Sequence, residues 1–274
     1  SVSAFLLNRS SDLDLTAIPS SVQAIASRAF AGNGLTHIEI PYTIEDIGSN
    51  AFYGNSIQRN QFVNHSTIDA ANNNYWGCTI LENGFEITNG KLTKYTGSDT
   101  KIVIPDIVTS ISDYVFSGRD DITSITIPNN VNTIGNFAFS GCTGLTRVEL
   151  NNNGIASKSY SSSSSIKDIF GEQVKEYILG EDVTSIGNNA FYGSSCLTSL
   201  TISQNIISIG TNAFYGCTGE LILNCNIPNA SSGSKSSFSG SKFSSLIIAD
   251  GIESIGDYAF YGCSSLISVT LSNT

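Results

Sequence analysis

Apolar and polar residues follow one fixed order down this chain. Between Ile127 and Gly141 it runs Ile-Pro-x-x-Val-x-x-Ile-Gly-x-x-Ala-Phe-x-Gly, with Val131, Ile134, Gly135, Ala138 and Phe139 in place. The order returns from Ile40 to Gly54 and, without its proline, from Leu179 to Gly193, Ile202 to Gly216 and Ile248 to Gly262. Its phenylalanine falls at 30, 52, 116, 139, 170, 191, 214, 238 and 260, in steps of 22, 64, 23, 31, 21, 23, 24 and 22. A unit of about 23 residues is too small to bury its own apolar face, so such units must stack on one another.

Within a unit the pattern predicts the elements. Thr123-Ser124-Ile125-Thr126-Ile127 alternates with β-branched residues, which predicts a strand, and Pro128 then ends the ladder because it has no N–H to donate. Val131, Ile134 and Ala138-Phe139 are spaced by three and four, which predicts a short helical turn on the opposite side. The recurring phenylalanines are expected to form an internal spine. Burying each one contributes about 1.5–3 kcal/mol.

Two places break the period. Between Phe52 and Phe116, Ile57 to Phe62 reads as a degenerate strand, and two alternating runs around Asn89-Gly90 predict a β-hairpin. We therefore divide the chain into a repeat block over 1–76, an irregular segment with a hairpin over 77–98 and a main block over 99–274, all within one solenoid. The second break, from Phe139 to Phe170, carries Ser157-Lys158-Ser159-Tyr160 and five serines, Ser161 to Ser165. With a similar run at 231–237, it is expected to form surface loops.

The units fit the leucine-rich repeat template L-x-x-L-x-L-x-x-N-x-L at Leu145, Val148, Leu150, Asn153 and Ile155, and again at Leu197, Leu200, Ile202, Asn205 and Ile207. The expected fold is a mainly β solenoid with short helical turns. It is a right-handed leucine-rich repeat superhelix of about ten coils with a parallel sheet on its concave face. Leu, Val and Ile of each strand point inward, so the residues between them point outward. The candidate binding face is then His37, Glu39, Lys101, Ser124, Thr126, Arg147, Glu149, Glu176, Ser199, Thr201, Ser245, Ser268 and Thr270. Val103, Glu220, Ile222 and Ile247 lie between them. At about 4.8 Å per strand, some ten coils span about 45–50 Å, which suits a protein or extended polymer better than a metabolite.

The stretch from Ile127 to Phe139, and Gly84 to Ile111 with its Asn-Gly turn, Leu92 to Tyr95 and Ile104-Pro105-Asp106, resemble the BspA-like branch of leucine-rich repeats. The resemblance runs from about Leu13 to Thr274. It departs at Val115 and Ser237, where Ala is expected, and at Gly180, Ser203 and Ala249, where Pro is lost. It implies an extracellular or cell-surface protein of a type found in bacteria and protozoa. It also implies a protein partner, with host matrix and cell-surface proteins the candidates, and no shared catalytic residues.

Composition narrows this reading. The net charge of −10 and the lack of any Lys/Arg cluster argue against nucleic acid and anionic membranes as partners. Charged residues make up only 13% of the chain, so Ser, Thr, Asn and Gly must carry its solubility. No stretch has the roughly 18–20 apolar residues of a membrane span. The two histidines, His37 and His65, lack metal-ligand spacing, and Asp12 and Asp14 lack the rest of a calcium loop. No catalytic residue, metal ligand or cofactor is assigned. Cys142, Cys217 and Cys263 follow the glycine of their repeats and suit small buried hydrophobes, while a Cys196–Cys217 bridge is geometrically possible. Sequons stand at Asn8, Asn64 and Asn229. Tyr53, Tyr192, Tyr215 and Tyr261 form a stripe that serves either packing or glycan binding. Ser1 at the start and the lack of Met point to a processed fragment, and the final copy stops at Thr274 before completing itself. Three readings follow: a non-catalytic interaction protein or adhesin, a structural spacer or assembly subunit that self-associates through open solenoid ends, and a glycan-binding module.

Overall fold

Alternating Ile, Leu and Val in short segments bounded by turns fold as parallel β-coils. The computed structural model describes residues 18–229 and 236–272, so Asp12, Asp14, the sequon at Asn8, the serines at 231–235 and Thr274 lie outside it. The chain divides into two compact units, residues 1–98 and 99–274.

The first unit contains β1 (Ala24–Ile25), β2 (Ile38–Ile40), β3 (Asp46–Ile47), β4 (Ser56–Gln58), β5 (Phe62–Asn64), β6 (Thr79–Glu82), β7 (Phe85–Thr88) and β8 (Lys91–Tyr95). Parallel pairs form between β1 and β3, β2 and β5, and β4 and β6. The hairpin expected at Asn89-Gly90 is present: β7 and β8 are antiparallel, and both turn residues take positive φ, 51° and 70°. A second turn at Asn83-Gly84, φ 48° and 84°, makes β6 antiparallel to β7, so the segment is a three-stranded meander. Trp76 is buried and stacks on Phe62 at 6.3 Å.

The second unit contains β9 (Lys101–Val103), β10 (Ser110–Ile111), β11 (Ser124–Ile127), β12 (Thr133–Ile134), β13 (Arg147–Leu150), α1 (Asn153–Ala156), α2 (Lys167–Phe170), β14 (Glu176–Leu179), β15 (Ser185–Ile186), β16 (Ser199–Ile202), β17 (Ser208–Ile209), β18 (Thr218–Leu223), β19 (Lys242–Ile248) and β20 (Ser268–Leu271). Eight of these form one parallel sheet in the order β9-β11-β13-β14-β16-β18-β19-β20. The helical turn expected at Val131 to Phe139 is instead a two-residue strand and a tight turn: β12 pairs with β10, and β15 with β17 in the same way. The three-and-four spacing arises because the chain reverses around a left-handed residue two places before the spine phenylalanine. That position has positive φ at Asn50, Tyr114, Phe137, Asn189, Asn212 and Tyr258.

The spine is as the period predicts. Rings stack at 5.2 Å between Phe116 and Phe139, 5.0 Å between Phe139 and Phe170, 5.7 Å between Phe191 and Phe214, and 4.8 Å between Phe214 and Phe238. Tyr177 inserts its ring between Phe170 and Phe191 from the strand side, and its buried hydroxyl has no hydrogen-bond partner. Three residues after several spine rings stands a polar side chain that reaches the preceding coil's spine carbonyl. Asn55 Nδ2 donates to Phe30 O at 2.8 Å, Cys142 Sγ to Phe116 O at 3.1 Å and Cys217 Sγ to Phe191 O at 3.0 Å. These cysteines are therefore weak donors that link coils as well as small apolar fillers. At Ser194 the link is absent: its hydroxyl is buried without a partner, while Gln173 Nε2 donates to Phe170 O.

All six cysteines are free, and only Cys196 is fully exposed. Burial raises Cys142 and Cys225 from an ordinary 9.0 to about 11, and Cys78 to about 12. Iodoacetamide at neutral pH should label Cys196 first, with Cys78, Cys142, Cys217 and Cys225 modified only after denaturation, as mass spectrometry would read. The raised values also set a sign. The folded thiols hold protons that the unfolded chain releases above about pH 9, so thermal stability should fall as pH rises from about 9 toward 11–12. Tyr177→Phe removes an unpartnered buried hydroxyl and should leave stability unchanged or raise it by about 1 kcal/mol, whereas Phe139→Ala should cost about 3–5 kcal/mol. Denaturant melts of the two variants would check the opposite signs.

Candidate functional site

The eight-stranded sheet places the outward residues in two straight rows. The first runs Lys101, Ser124, Arg147, Glu176, Ser199, Glu220, Ser245, Ser268, each directly paired with the next. The second runs Val103, Thr126, Glu149, Ile178, Thr201, Ile222, Ile247, Thr270. Eleven of the thirteen candidate residues therefore stand on one sheet. His37 and Glu39 do not: they belong to the first unit, where β2 pairs, among the described residues, only with β5. There His37 Nδ1 lies 2.9 Å from Gln61 Oε1, and His65 Nε2 lies 3.2 Å from Glu39 Oε1. The second row also includes Ile178, which the template misses because its strand carries Tyr177 where a Leu or Val is expected.

The rows differ in chemistry. In the first, Arg147 Nη1 pairs with Glu176 Oε2 at 2.6 Å, and Ser245 Oγ donates to Glu220 Oε1 at 3.0 Å. Its cations, Lys101 and Arg147, precede its acids, Glu176 and Glu220. In the second, Val103, Ile178, Ile222 and Ile247 leave aliphatic surface partly open, with Val103 66% exposed. Seven strand intervals of about 4.8 Å make this face about 34 Å long, shorter than the span expected for ten coils. The face offers charge pairing beside an apolar strip. Among the described residues no group of three or more His, Cys, Asp or Glu could hold a metal ion, and no helix is long and apolar enough to cross a membrane.

Other expected features fall elsewhere. The serine-rich insertion is pinned: Ser165 Oγ donates to Tyr192 O at 2.9 Å, and Tyr160 Oη to Ile155 O at 3.0 Å. In the tyrosine stripe, Tyr192 and Tyr215 stack at 4.7 Å, and Tyr215 lies against Gly240, where a Cβ would come within 2.3 Å of the ring. That contact makes this pair packing, and Gly240 is the space it requires. The Asn64 sequon side chain is engaged, with Nδ2 donating to Ile68 O at 2.6 Å. Arg119 pairs with Asp121 at 2.7 Å, and this hydrogen bond holds the Asp121 carboxyl below its usual range.

The sequence matches the model of the BspA type leucine rich repeat region over residues 2–98, 87–179 and 184–274. No curated protein matches it. Among solved structures, a leucine rich cell surface protein of Faecalibacterium prausnitzii A2-165 is 22% identical, with 93% of this chain and 53% of that chain covered and a TM-score of 0.31. A leucine-rich repeat protein of Bacteroides ovatus ATCC 8483 is 21% identical, with coverages of 93% and 77% and a TM-score of 0.39. The pneumococcal vaccine antigen PcpA is 18% identical, with coverages of 92% and 60% and a TM-score of 0.44. The chain thus spans about half the length of the first of these proteins.

The Arg147–Glu176 pair is partly exposed on both sides, so its loss should cost about 1 kcal/mol or less. Arg147→Glu should therefore melt within a few degrees of the wild type by circular dichroism. A drop of ten degrees or more would mean that the pair supports the coil rather than decorating it.

Proposed function

The chain belongs to the BspA type leucine rich repeat family, and from that premise we propose that it is a non-catalytic interaction protein whose eight-stranded sheet docks a protein partner. The observation that carries the reading is the pairing of a charged row with an aliphatic row over about 34 Å. The partner surface it suits has an apolar ridge facing Ile178, Ile222 and Ile247, acidic groups toward Lys101 and Arg147, and basic groups toward Glu176 and Glu220. Host extracellular-matrix proteins are the partner class, and the site of action is extracellular or at a cell surface. The net charge of −10 supports a protein partner over nucleic acid.

One observation favours a second reading. On β20, Val269 and Leu271 occupy inward positions, paired with the buried Leu246 and Ile248, yet are 54% and 62% exposed. A further parallel strand, from more of the same repeat or from a second copy, would cover them, and supplied by a second copy it would make the chain an assembly subunit.

Binding to immobilised fibronectin, laminin and collagen, measured by surface plasmon resonance with wild type and Arg147→Glu, tests the first reading. Saturable binding weakened about tenfold by the variant is expected. No binding, together with molecular mass that grows with concentration in light scattering, would replace it with the assembly reading.

A further inference from the structure

The turn between the coils of Phe139 and Phe170 differs from the other turns of the second unit. The usual turn is replaced by the serine-rich insertion and α2, and a cavity of about 250 Å³ opens between the two coils. Phe137, Ser140 and Thr143 wall it on one side, and Asp168, Ile169 and Gln173 on the other.

Phe137 is an aromatic residue on left-handed backbone. It sits at φ 57°, in a column that holds asparagine at Asn50, Asn189 and Asn212 and larger side chains at Arg28, Tyr114 and Tyr258. Asparagine tolerates that conformation, whereas a bulky side chain there is strained. The ring is also 62% exposed, and it stacks on Tyr114, itself at φ 61° and 59% exposed, at 5.4 Å and 19°. Two neighbouring coils thus hold aromatic rings in water on strained backbone, and one of those rings walls a cavity. Arg28 and Tyr258 share this backbone, and what sets Phe137 apart from them is the cavity its ring walls, which points to a binding role.

We propose that this cavity binds a single neutral pyranose, as a free sugar or the terminal residue of a glycan. A volume of about 250 Å³ lies below the roughly 300–1,000 Å³ of pockets for drug-sized ligands and suits one ring. The apolar C–H face of a sugar packs on the negative face of an aromatic ring, which Phe137 provides. Sugar hydroxyls find the Ser140 and Thr143 hydroxyls and the Asp168 carboxylate. Asp168 accepts from Ser165 N at 2.6 Å and from Lys167 Nζ at 3.3 Å, which leaves acceptor capacity on its two oxygens. Lys167 also pairs with Glu172 at 3.0 Å, so two carboxylates share one ammonium. The surplus negative charge selects against sialylated, sulfated and uronic sugars.

The test is saturation-transfer NMR of the full chain with methyl glucoside, galactoside, mannoside and N-acetylglucosaminide, beside a glycan array carrying neutral and acidic termini. Phe137→Asn installs the residue that sister coils use, so it should fold with an equal or higher Tm while sugar binding weakens at least about tenfold. Asp168→Asn should weaken binding too, with circular dichroism confirming its fold. The proposal is overturned by silence with every neutral sugar, by binding that Phe137→Asn leaves intact, or by recognition of acidic glycans alone. It is equally overturned if Phe137→Asn instead abolishes matrix-protein binding, which would make the aromatic pair part of a protein interface. Arg147→Glu should leave sugar binding unchanged, so the two sites stand or fall separately.

Discussion

The stack of phenylalanine rings is the constraint on which the second unit depends. Ring centroids lie 4.8–5.7 Å apart along the regular coils, close to the spacing between parallel strands. A coil must therefore return its ring to the column after one circuit, which fixes the strand register and so the two outward rows. Where the circuit takes 31 residues instead of about 23, the extra chain leaves as a pinned loop and a helical turn, and the ring of Phe170 still lands 5.0 Å from Phe139. Past that point the column needs help, and the ring of Tyr177 fills in between Phe170 and Phe191.

Spine carbonyls accept from the backbone N–H three residues on, as Phe116 O does from Arg119 N and Phe191 O from Ser194 N. Side chains three residues after a ring add a second donor across the coils at Asn55, Cys142 and Cys217, while Gln173 donates to Phe170 O within its own coil. This explains why cysteine recurs with the repeat although no disulfide forms between described residues.

Much of this was legible in the sequence, because period and alternation are direct consequences of stacking. The spine, the strands and the Asn89-Gly90 hairpin all follow from residue type and spacing. The Asn83-Gly84 turn carries the same signal as its neighbour, but Thr79-Ile80-Leu81-Glu82 before it does not alternate and so announces no strand. The expected helical turn at Val131 to Phe139 failed for a different reason. Three-and-four spacing records which residues face inward, and a two-residue strand followed by a reversal at left-handed Phe137 meets that requirement as well as a helix does. The candidate face was legible as a list and not as a surface. Period two says that Arg147 and Glu149 point outward, but only the register puts Arg147 beside Glu176 and sets Ile178 beside Glu149. Nothing in the pattern separates His37 and Glu39 from the rest, because the meander later in their unit interrupts the repeat without erasing it.

Several departures from the repeat cluster. Gln173, Tyr177 and Ser194 stand where other coils place different residues, and with the exposed ring of Phe137 they lie on the coils next to the long insertion. Three carry a local cost: a strained backbone and exposed ring at Phe137, and orphaned hydroxyls at Tyr177 and Ser194. A coil that needed only to continue the stack would be relieved by asparagine at 137 and phenylalanine at 177. In a repeat protein every coil solves the same packing problem, so residues that solve it less well show where another requirement acts. The Arg147–Glu176 pair bridges this same irregular coil on the sheet side, while Phe137 and the cavity mark it on the turn side. The insertion thus makes one coil unlike the others on both faces, which is how a monotonous scaffold acquires a place that a ligand can tell from the rest.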